Sequence, residues 1–539
     1  MKKTSLIFCL IIALCTTLFA QQEPTWDNTS KKKWSDAFVE VSITSSVDGT
    51  QQKAFMYSSK NRTPQPLIVS LHTWSGNYTQ TDPLTKEILA RDWNYIHPDF
   101  RGANNHPEAM GSPLAISDIE DAIRYAVEQT NADPEEVHVI GVSGGGYATL
   151  LSYMNTIYPV RSFSAWVPIS DIEAWYWESV GRGQKYAIDI IKSLSSDSVF
   201  YRDEAERRSP IQHTFPVDIR KNAKLYIYAG IHDGYRGSVP ITHSLNMYNR
   251  LVGELKYNDA TTDEISVKAF SDKDLVSKSE IVELLSKRIN PDNNRNKTLY
   301  GRNIHLFREY ENIQLTIFEG RHEQLPQALG LIPYEKQVDL KKNILILGDS
   351  NAANSDGWAT QLQGMIPNSS FFNISKSGRT IGFDNNGKAA LNMLRNIDSC
   401  LDEVHNQLVK GKIDYVIVNL GTNDTKVEFS ERQQEILANF EQLLNKIKKH
   451  KLYKNSKLIF VTPPPIRATD VSKKYNGSNE RLSELIPQLK SIAEKKKVKV
   501  VDVYQPLLGV LDYYALDGVH MSAKGQEIIA LKILNGINQ

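Results

Sequence analysis

The sequence predicts an α/β protein of two domains. Two observations carry that expectation. Apolar strand-like runs alternate with helical patterns from Leu67 onward, and after Pro333 the alternation starts afresh with a new short apolar run at 343–347. Such alternation marks a parallel sheet covered by helices, and 539 residues are too many for one ordinary domain.

In the first block, strands are expected at 67–71, 95–100, 137–142, 164–169, 225–229 and 315–318. The clearest helix covers 116–127, where Ile116, Ile119, Ala122, Ile123 and Ala126 recur at helical spacing. About 45 residues of a processed chain would precede the first expected strand. The tract 253–301 breaks the alternation. Rich in Lys, Asp, Glu and Asn, it reads as an insertion, helical around 281–285, either a lid or a solvated excursion. The second block places strands at 343–347, 371–374, 415–420, 458–461 and 498–503. At about 200 residues it is a complete domain by size. The boundary falls between Leu331 and Lys341, giving domains at 21–335 and 341–539.

Composition narrows the class. With 41% hydrophobic and 23% charged residues the chain has ample material for packed cores. A net charge of +1 lacks the basic excess of a nucleic-acid-binding surface. At the N-terminus, Lys2 and Lys3 precede an apolar run from Leu6 to Ala13, and Leu18-Phe19-Ala20 precedes polar residues. That is the pattern of a secretory signal peptide at 1–20, too short for a membrane span. Cys9 and Cys15 leave with it, so the mature chain keeps only Cys400, a small hydrophobe in an apolar helical context. A secreted chain without disulfides fits a bacterial periplasm or exterior.

Gly141-Val142-Ser143-Gly144-Gly145 lies between an expected strand and a helix-forming run. A nucleophilic serine on a sharp strand-to-helix turn needs small neighbours, and it needs a base and an orienting carboxylate. In this topology the acid and base follow at the ends of later strands. Asp233, after strand 225–229, and His322, after strand 315–318, occupy those places. His232 is the nearest competing base, but adjacent side chains on an extended strand face opposite ways.

These residues, with Val239-Pro240 and Ser244 after Asp233 and Gly320-Arg321-His322-Glu323 around the base, resemble the α/β-hydrolase family, in its prolyl-oligopeptidase-like branch. The resemblance implies Ser143, Asp233 and His322 as the catalytic triad. His72-Thr73-Trp74-Ser75-Gly76 resembles the family's His-Gly loop, with Thr73 where a glycine is usual, which implies the Trp74 and Gly144 N–H groups as oxyanion donors. Arg101 and Arg236 fall near the expected mouth of the site. Either is a candidate clamp for a substrate carboxylate, or an arginine bracing a loop. Trp175-Tyr176-Trp177 reads equally as a sugar-stacking cap or as packing.

The second block carries Gly348-Asp349-Ser350-Asn351, then Ser377-Gly378, Gly421-Thr422-Asn423-Asp424, and Asp517-Gly518-Val519-His520. All four groups, in this order, resemble the SGNH (GDSL-type) hydrolase family across essentially the whole domain. The complete fold expected is therefore an α/β-hydrolase sheet followed by a smaller, flavodoxin-like three-layer α/β/α domain. The resemblance implies Ser350 as nucleophile, His520 as base, Asp517 as its orienting acid, and the N–H groups of Ser350 and Gly378 with the Asn423 amide as oxyanion donors. Asp424 is a rival for Asp517, though its place suits turn bracing. Arg379 and Thr380 are open to contact with substrate.

Both resemblances imply ester hydrolysis through acyl-enzyme intermediates without a cofactor. Among the 12 histidines there is no His-x-x-x-His or His-Glu-x-x-His spacing and no phosphate-binding glycine loop elsewhere. The expected substrate is an O-acetyl or methyl ester on a plant polysaccharide or oligosaccharide such as xylan or pectin. The alternative is an exopeptidase in the first domain joined to an unrelated lipid or acetyl esterase.

Overall fold

The computed structural model describes residues 34–538 apart from 196, 198, 259, 290–296 and 409–410. The expected signal peptide with Cys9 and Cys15, and the end of the tract 253–301 at 291–296, lie outside the described residues.

The first sheet has ten strands: β1 Val39–Thr44, β2 Gln51–Tyr57, β3 Gln65–Leu71, β4 Asn94–Pro98, β5 Ala132–Val142, β6 Ser162–Trp166, β7 Lys224–Gly230, β8 Thr298–Leu299, β9 Arg302–Tyr310 and β10 Ile313–Phe318. Their order is β1-β2-β4-β3-β5-β6-β7-β10-β9-β8. The six strands from β4 to β10 pair in parallel, and the outer ones are antiparallel. β3 is buried along its whole length, as a strand covered by helices on both faces must be.

The sequence reading missed β1, β2, β8 and β9. These outer, antiparallel strands can face water on one side and so carry polar residues that hide them in a search for apolar runs. β1, read Val-Glu-Val-Ser-Ile-Thr, is the example. The sheet therefore begins at Val39, not at Leu67. Two expected strands also end early. Phe100 (φ 35°) and Arg101 (φ 76°) turn the chain after β4, and Val167 (φ 43°) ends β6. The tract 253–301 is more helical than expected. Helix Thr242–Tyr257 runs through Gly253, and helices Thr262–Lys268 and Lys278–Lys287 follow, each opened by a capping box.

The second sheet comprises β11 Asn343–Gly348, β12 Ser370–Asn373, β13 Tyr415–Asn419, β14 Lys457–Val461 and β15 Lys499–Val501, all parallel, in the order β12-β11-β13-β14-β15. This is the flavodoxin-like arrangement. Alternation along β11 divides its apolar side chains between two cores. Leu345 and Leu347 pack with Val416, Phe440 and Leu489. Ile344 and Ile346, on the other face, join Trp358 and Ile529 in an apolar cluster that continues into the first sheet's Leu67 and Ile96 and the adjoining Trp93. One core thus spans both sheets, and each fully buried aliphatic side chain in it contributes ~1.5–3 kcal/mol.

In the parallel part of each sheet the strand order reverses at one point, beside β5 in the first and β11 in the second. A crevice opens at such points beyond the carboxyl ends of the strands. Ser143 follows β5 and Ser350 follows β11.

Candidate active sites

Ser143 sits between β5 and helix Gly144–Asn155 with φ 59° and ψ −118°. A residue with a side chain rarely adopts that backbone region, and strain of this kind holds a nucleophile clear of strand and helix. A Cβ on Gly145 would lie 2.1 Å from the Leu71 carbonyl oxygen, so the turn packs against β3 only with glycine there.

β7 and β10 are parallel neighbours, so the turns that follow them lie side by side. They bring Asp233 and His322 together. His322 Nε2 is 2.8 Å from Ser143 Oγ, and His322 Nδ1 is 2.7 Å from Asp233 Oδ2. The other Asp233 oxygen accepts the N–H groups of Gly234 and Val239 at 2.9 and 3.1 Å. The carboxylate is thereby held in place by its own loop. Its side chain is 1% exposed and that of His322 4%, so the relay is enclosed.

The Gln80 side-chain oxygen accepts the Thr73 N–H at 3.0 Å. The next N–H, that of Trp74, has no acceptor among the described residues. A Cβ on Gly144 would lie 2.3 Å from the Trp74 nitrogen, so these two N–H groups are close neighbours beside Ser143. Their placement is that expected of the first oxyanion site.

Asp349 caps the short helix Ser350–Ala353 by accepting the Asn351 N–H, which presents Ser350 at the end of β11. His520 Nε2 is 2.9 Å from Ser350 Oγ, and His520 Nδ1 is 2.7 Å from Asp517 Oδ2. Asp517 Oδ1 accepts the N–H groups of Val519 and His520 at 2.9 and 2.7 Å. Burial pushes the Asp517 carboxyl up, but the hydrogen bonds from His520 and these N–H groups outweigh it and keep it below the ordinary value. Here the relay is open: the His520 side chain is 36% exposed and that of Asp517 56%.

Four side chains form a chain of contacts around Gly378 and Asn423, the residues expected as oxyanion donors in the second domain. Gly378 takes φ 82°, where glycine carries no penalty. The Asn385 amide donates to the Gly378 carbonyl, and buried Lys426 donates to the Asn385 oxygen at 3.0 Å. The Lys426 ammonium lies 5.6 Å from the Tyr475 ring centroid, and the Tyr475 hydroxyl donates to Asn423 Oδ1 at 2.9 Å. Asn423 Nδ2 donates to the Arg379 carbonyl at 3.1 Å. Burial pushes the Lys426 ammonium below its ordinary value. No motif spacing pointed to Asn385, Lys426 or Tyr475, because they act through residues distant in the chain.

Several sequence expectations are corrected. Arg101 is not at a mouth. It is buried, its Nε bonds Asp118 at 2.5 Å and its Nη1 bonds Asp48 at 2.8 Å, so its charge is spent inside the fold. Arg379 and Thr380 are also buried, donating to the Ile374 and Phe383 carbonyls, and neither is available to substrate. Arg236 is exposed in the turn after Asp233, its guanidinium 5.9 Å from the Tyr235 ring centroid.

His232 is turned away from Ser143, bonding Glu319 at 2.8 Å, though it lies in a turn and not on a strand. Asp424 receives the Ile381 N–H on both oxygens at 2.9 and 3.0 Å, which is bracing, and burial pushes its carboxyl up to about 7. The aromatic triplet divides. Trp175 is buried against Trp74 and Tyr186, Tyr176 stacks on Phe200, and Trp177 is 56% exposed. Cys400 is a half-buried free thiol on helix Met393–Gln407.

Two family models match parts of the chain. Residues 87–274 match the prolyl oligopeptidase family, and residues 346–528 match the GDSL-like lipase/acylhydrolase family. No curated protein matches the chain. Among solved structures, Est24, a carbohydrate acetylesterase from Sinorhizobium meliloti, is 22% identical; the match covers 36% of this chain and 98% of that one, with a TM-score of 0.31. The native aryl esterase of M. smegmatis is 23% identical over 36% of this chain and 98% of its own, also at 0.31. The acylaminoacyl peptidase of Pyrococcus horikoshii is 17% identical over 40% of this chain and 34% of its own, again at 0.31.

Proposed function

We propose that this chain, which joins a prolyl-oligopeptidase-type α/β-hydrolase domain to a GDSL-like esterase domain, is a secreted or periplasmic serine carbohydrate esterase with two working sites. The observation that carries the reading is the pair of complete relays, Ser143–His322–Asp233 and Ser350–His520–Asp517, each with both hydrogen bonds between 2.7 and 2.9 Å.

In each site the imidazole takes the serine proton as the hydroxyl oxygen attacks the ester carbonyl. The carboxylate keeps the other ring nitrogen protonated and stabilises the imidazolium. Negative charge on the carbonyl oxygen falls to Trp74 and Gly144 in one site, and to Ser350, Gly378 and Asn423 in the other. The imidazolium returns its proton to the departing alcohol. A water, deprotonated by the same imidazole, then hydrolyses the acyl-enzyme.

Two unlike esterase sites on one chain suit a polymer that carries two ester decorations, or one decoration at two positions. The exposed Asp517–His520 edge supports attack on an acetyl group presented by a bulky chain. The enclosed first site supports a small acyl or methyl ester. Secretion rests on the basic and apolar N-terminal run. Among the described residues no helix is long and apolar enough to cross a membrane.

The test is release of acetate and methanol from acetylated xylan and from pectin by wild type, Ser143→Ala and Ser350→Ala. Each substitution is expected to remove one activity by ~10³-fold or more while the other persists. Full activity in both variants on every ester would overturn the reading. The match to the prolyl oligopeptidase family supports the alternative for the first site, an exopeptidase. Turnover of a peptide amide abolished by Ser143→Ala would establish it.

A further inference from the structure

The loop that carries both Asp517 and His520 is exposed at its tip and closed at its base. The Ser522 N–H donates to the Tyr514 carbonyl at 2.6 Å, so Tyr514 marks the point from which residues 515–521 project. From within the second domain, the Arg467 guanidinium bonds the Ala515 carbonyl at 2.8 Å and its backbone N–H bonds the Gly518 carbonyl at 2.8 Å.

The Tyr514 side chain points the other way, into the first half of the chain. It is fully buried, and its hydroxyl donates to the carboxylate of Glu87 on helix Thr85–Arg91. Glu87 is also fully buried and accepts Arg91 Nε at 2.8 Å. The Tyr300 ring meets the Tyr514 ring edge-on, with centroids 6.4 Å apart. A Cβ on Gly330 would lie 2.3 Å from the Tyr300 hydroxyl and 3.1 Å from that of Tyr514, so the cluster closes over a glycine. Next door, Gln327 Nε2 donates to the Tyr513 carbonyl at 3.2 Å.

A buried carboxylate with a fixed counter-ion is an orientation-specific acceptor, and leaving such a group unpaired is costly. The bond to Tyr514 therefore has one favourable geometry. Because Tyr514 is the hinge of the Asp517–His520 loop, that geometry carries through to the imidazole. We propose that Glu87, a residue of the first domain, is a positioning residue for the second active site, acting through Tyr514. On this account the second domain is not an independent module: one of the contacts that hold its acid and base in place is supplied from outside it. The inference rests on Ser350 being that site's nucleophile.

The test uses the full chain and a fluorophosphonate probe, with labelling rates read peptide by peptide at Ser143 and Ser350 of the same molecule. Tyr514→Phe keeps the ring and removes only the hydroxyl. It is expected to slow labelling at Ser350 ~10-fold while labelling at Ser143 changes less than about twofold. On an acetyl ester turned over at Ser350, kcat falls by the same factor and KM holds, since substrate does not touch Tyr514. Glu87→Gln retains an acceptor and is expected to recover most of the rate that Glu87→Ala loses. Unchanged Ser350 labelling in folded Tyr514→Phe would overturn the proposal, as would equal losses at both serines. Failure of Ser350 to label in wild type would instead overturn the assignment of the nucleophile, and the proposal with it.

Discussion

The Tyr475 hydroxyl donates to the side-chain oxygen of Asn423 at 2.9 Å, and this bond decides which end of the Asn423 amide is left to donate. With the oxygen occupied, Nδ2 is the free end; one of its hydrogens meets the Arg379 carbonyl, and the other remains for the substrate. Tyr475→Phe is therefore expected to lower kcat at the Ser350 site ~10-fold, with KM nearly unchanged, because a misoriented donor weakens only the charged transition state. Steady-state kinetics on an acetyl ester decide it. A rise in KM at constant kcat would assign Tyr475 to substrate binding instead.

The two acids are expected to differ in weight. Asp233 is almost wholly enclosed, whereas the Asp517 side chain is 56% exposed. Removing an enclosed carboxylate leaves a buried imidazolium without a counter-charge, while water partly replaces an exposed one. Asp233→Ala should cost on the order of 10⁴-fold in kcat at its site. Asp517→Ala should cost at least ~10-fold less at the other. Single-turnover acylation rates at each serine measure both, and equal losses would contradict the argument from burial.

Arg101 contributes to stability and not to recognition. Its substitution by methionine leaves Asp118, whose side chain is 1% exposed, without its counter-charge, with only the Ser45 hydroxyl, among the described residues, still donating to it. Loss of ~3–5 kcal/mol of folding stability is expected, as for other broken buried pairs. The preference between an anionic and a neutral ester should stay as in wild type. Denaturant unfolding and paired substrate kinetics test the two halves, and a shifted preference would return Arg101 to the binding site.

Asp424 predicts a pH dependence of stability. Its carboxyl, pushed up by burial to about 7 from an ordinary 3.8, holds its proton more tightly in the folded chain than in the unfolded one. Between those values the folded state binds the extra proton. This contribution to stability is full below about 4 and is lost as pH rises through 7. Asp424→Asn, which cannot ionise, should flatten that slope. Unfolding midpoints at pH 5 and pH 7.5 for both proteins decide it, and parallel slopes would show that Asp424 is ionised throughout.

The parallel centre of each sheet was legible in the sequence because strands buried on both faces read as unbroken apolar runs. The five strands of the second sheet were all anticipated within a few residues. The outer antiparallel strands β1, β2, β8 and β9 were not, since a half-exposed strand spends its residues on water as much as on packing. The site residues followed the same division. Ser143, Asp233, His322 and Ser350 stand just beyond strand ends, where local chain geometry announces them, whereas Asp517 and His520 lie in the loop after helix Leu511–Tyr514 and were named through the family resemblance. Arg101 stands in the same kind of place, and the sequence left it open between clamp and brace, because Asp118 and Asp48, which make it a brace, are distant in sequence.

By itself, the sequence determined the fold class, the two-sheet order, and the six residues that the structure brings together as two proton relays. Those properties depend on what a short stretch of chain carries: period, turn chemistry, and the motifs on which the two family resemblances rest. Tertiary structure alone decided that one relay is enclosed and the other open, that Tyr475 orients Asn423, and that Tyr514 docks on Glu87 across a shared core. Burial and hydrogen-bond partnership are set by residues that meet only after the chain has folded, and no local pattern encodes which distant group will arrive.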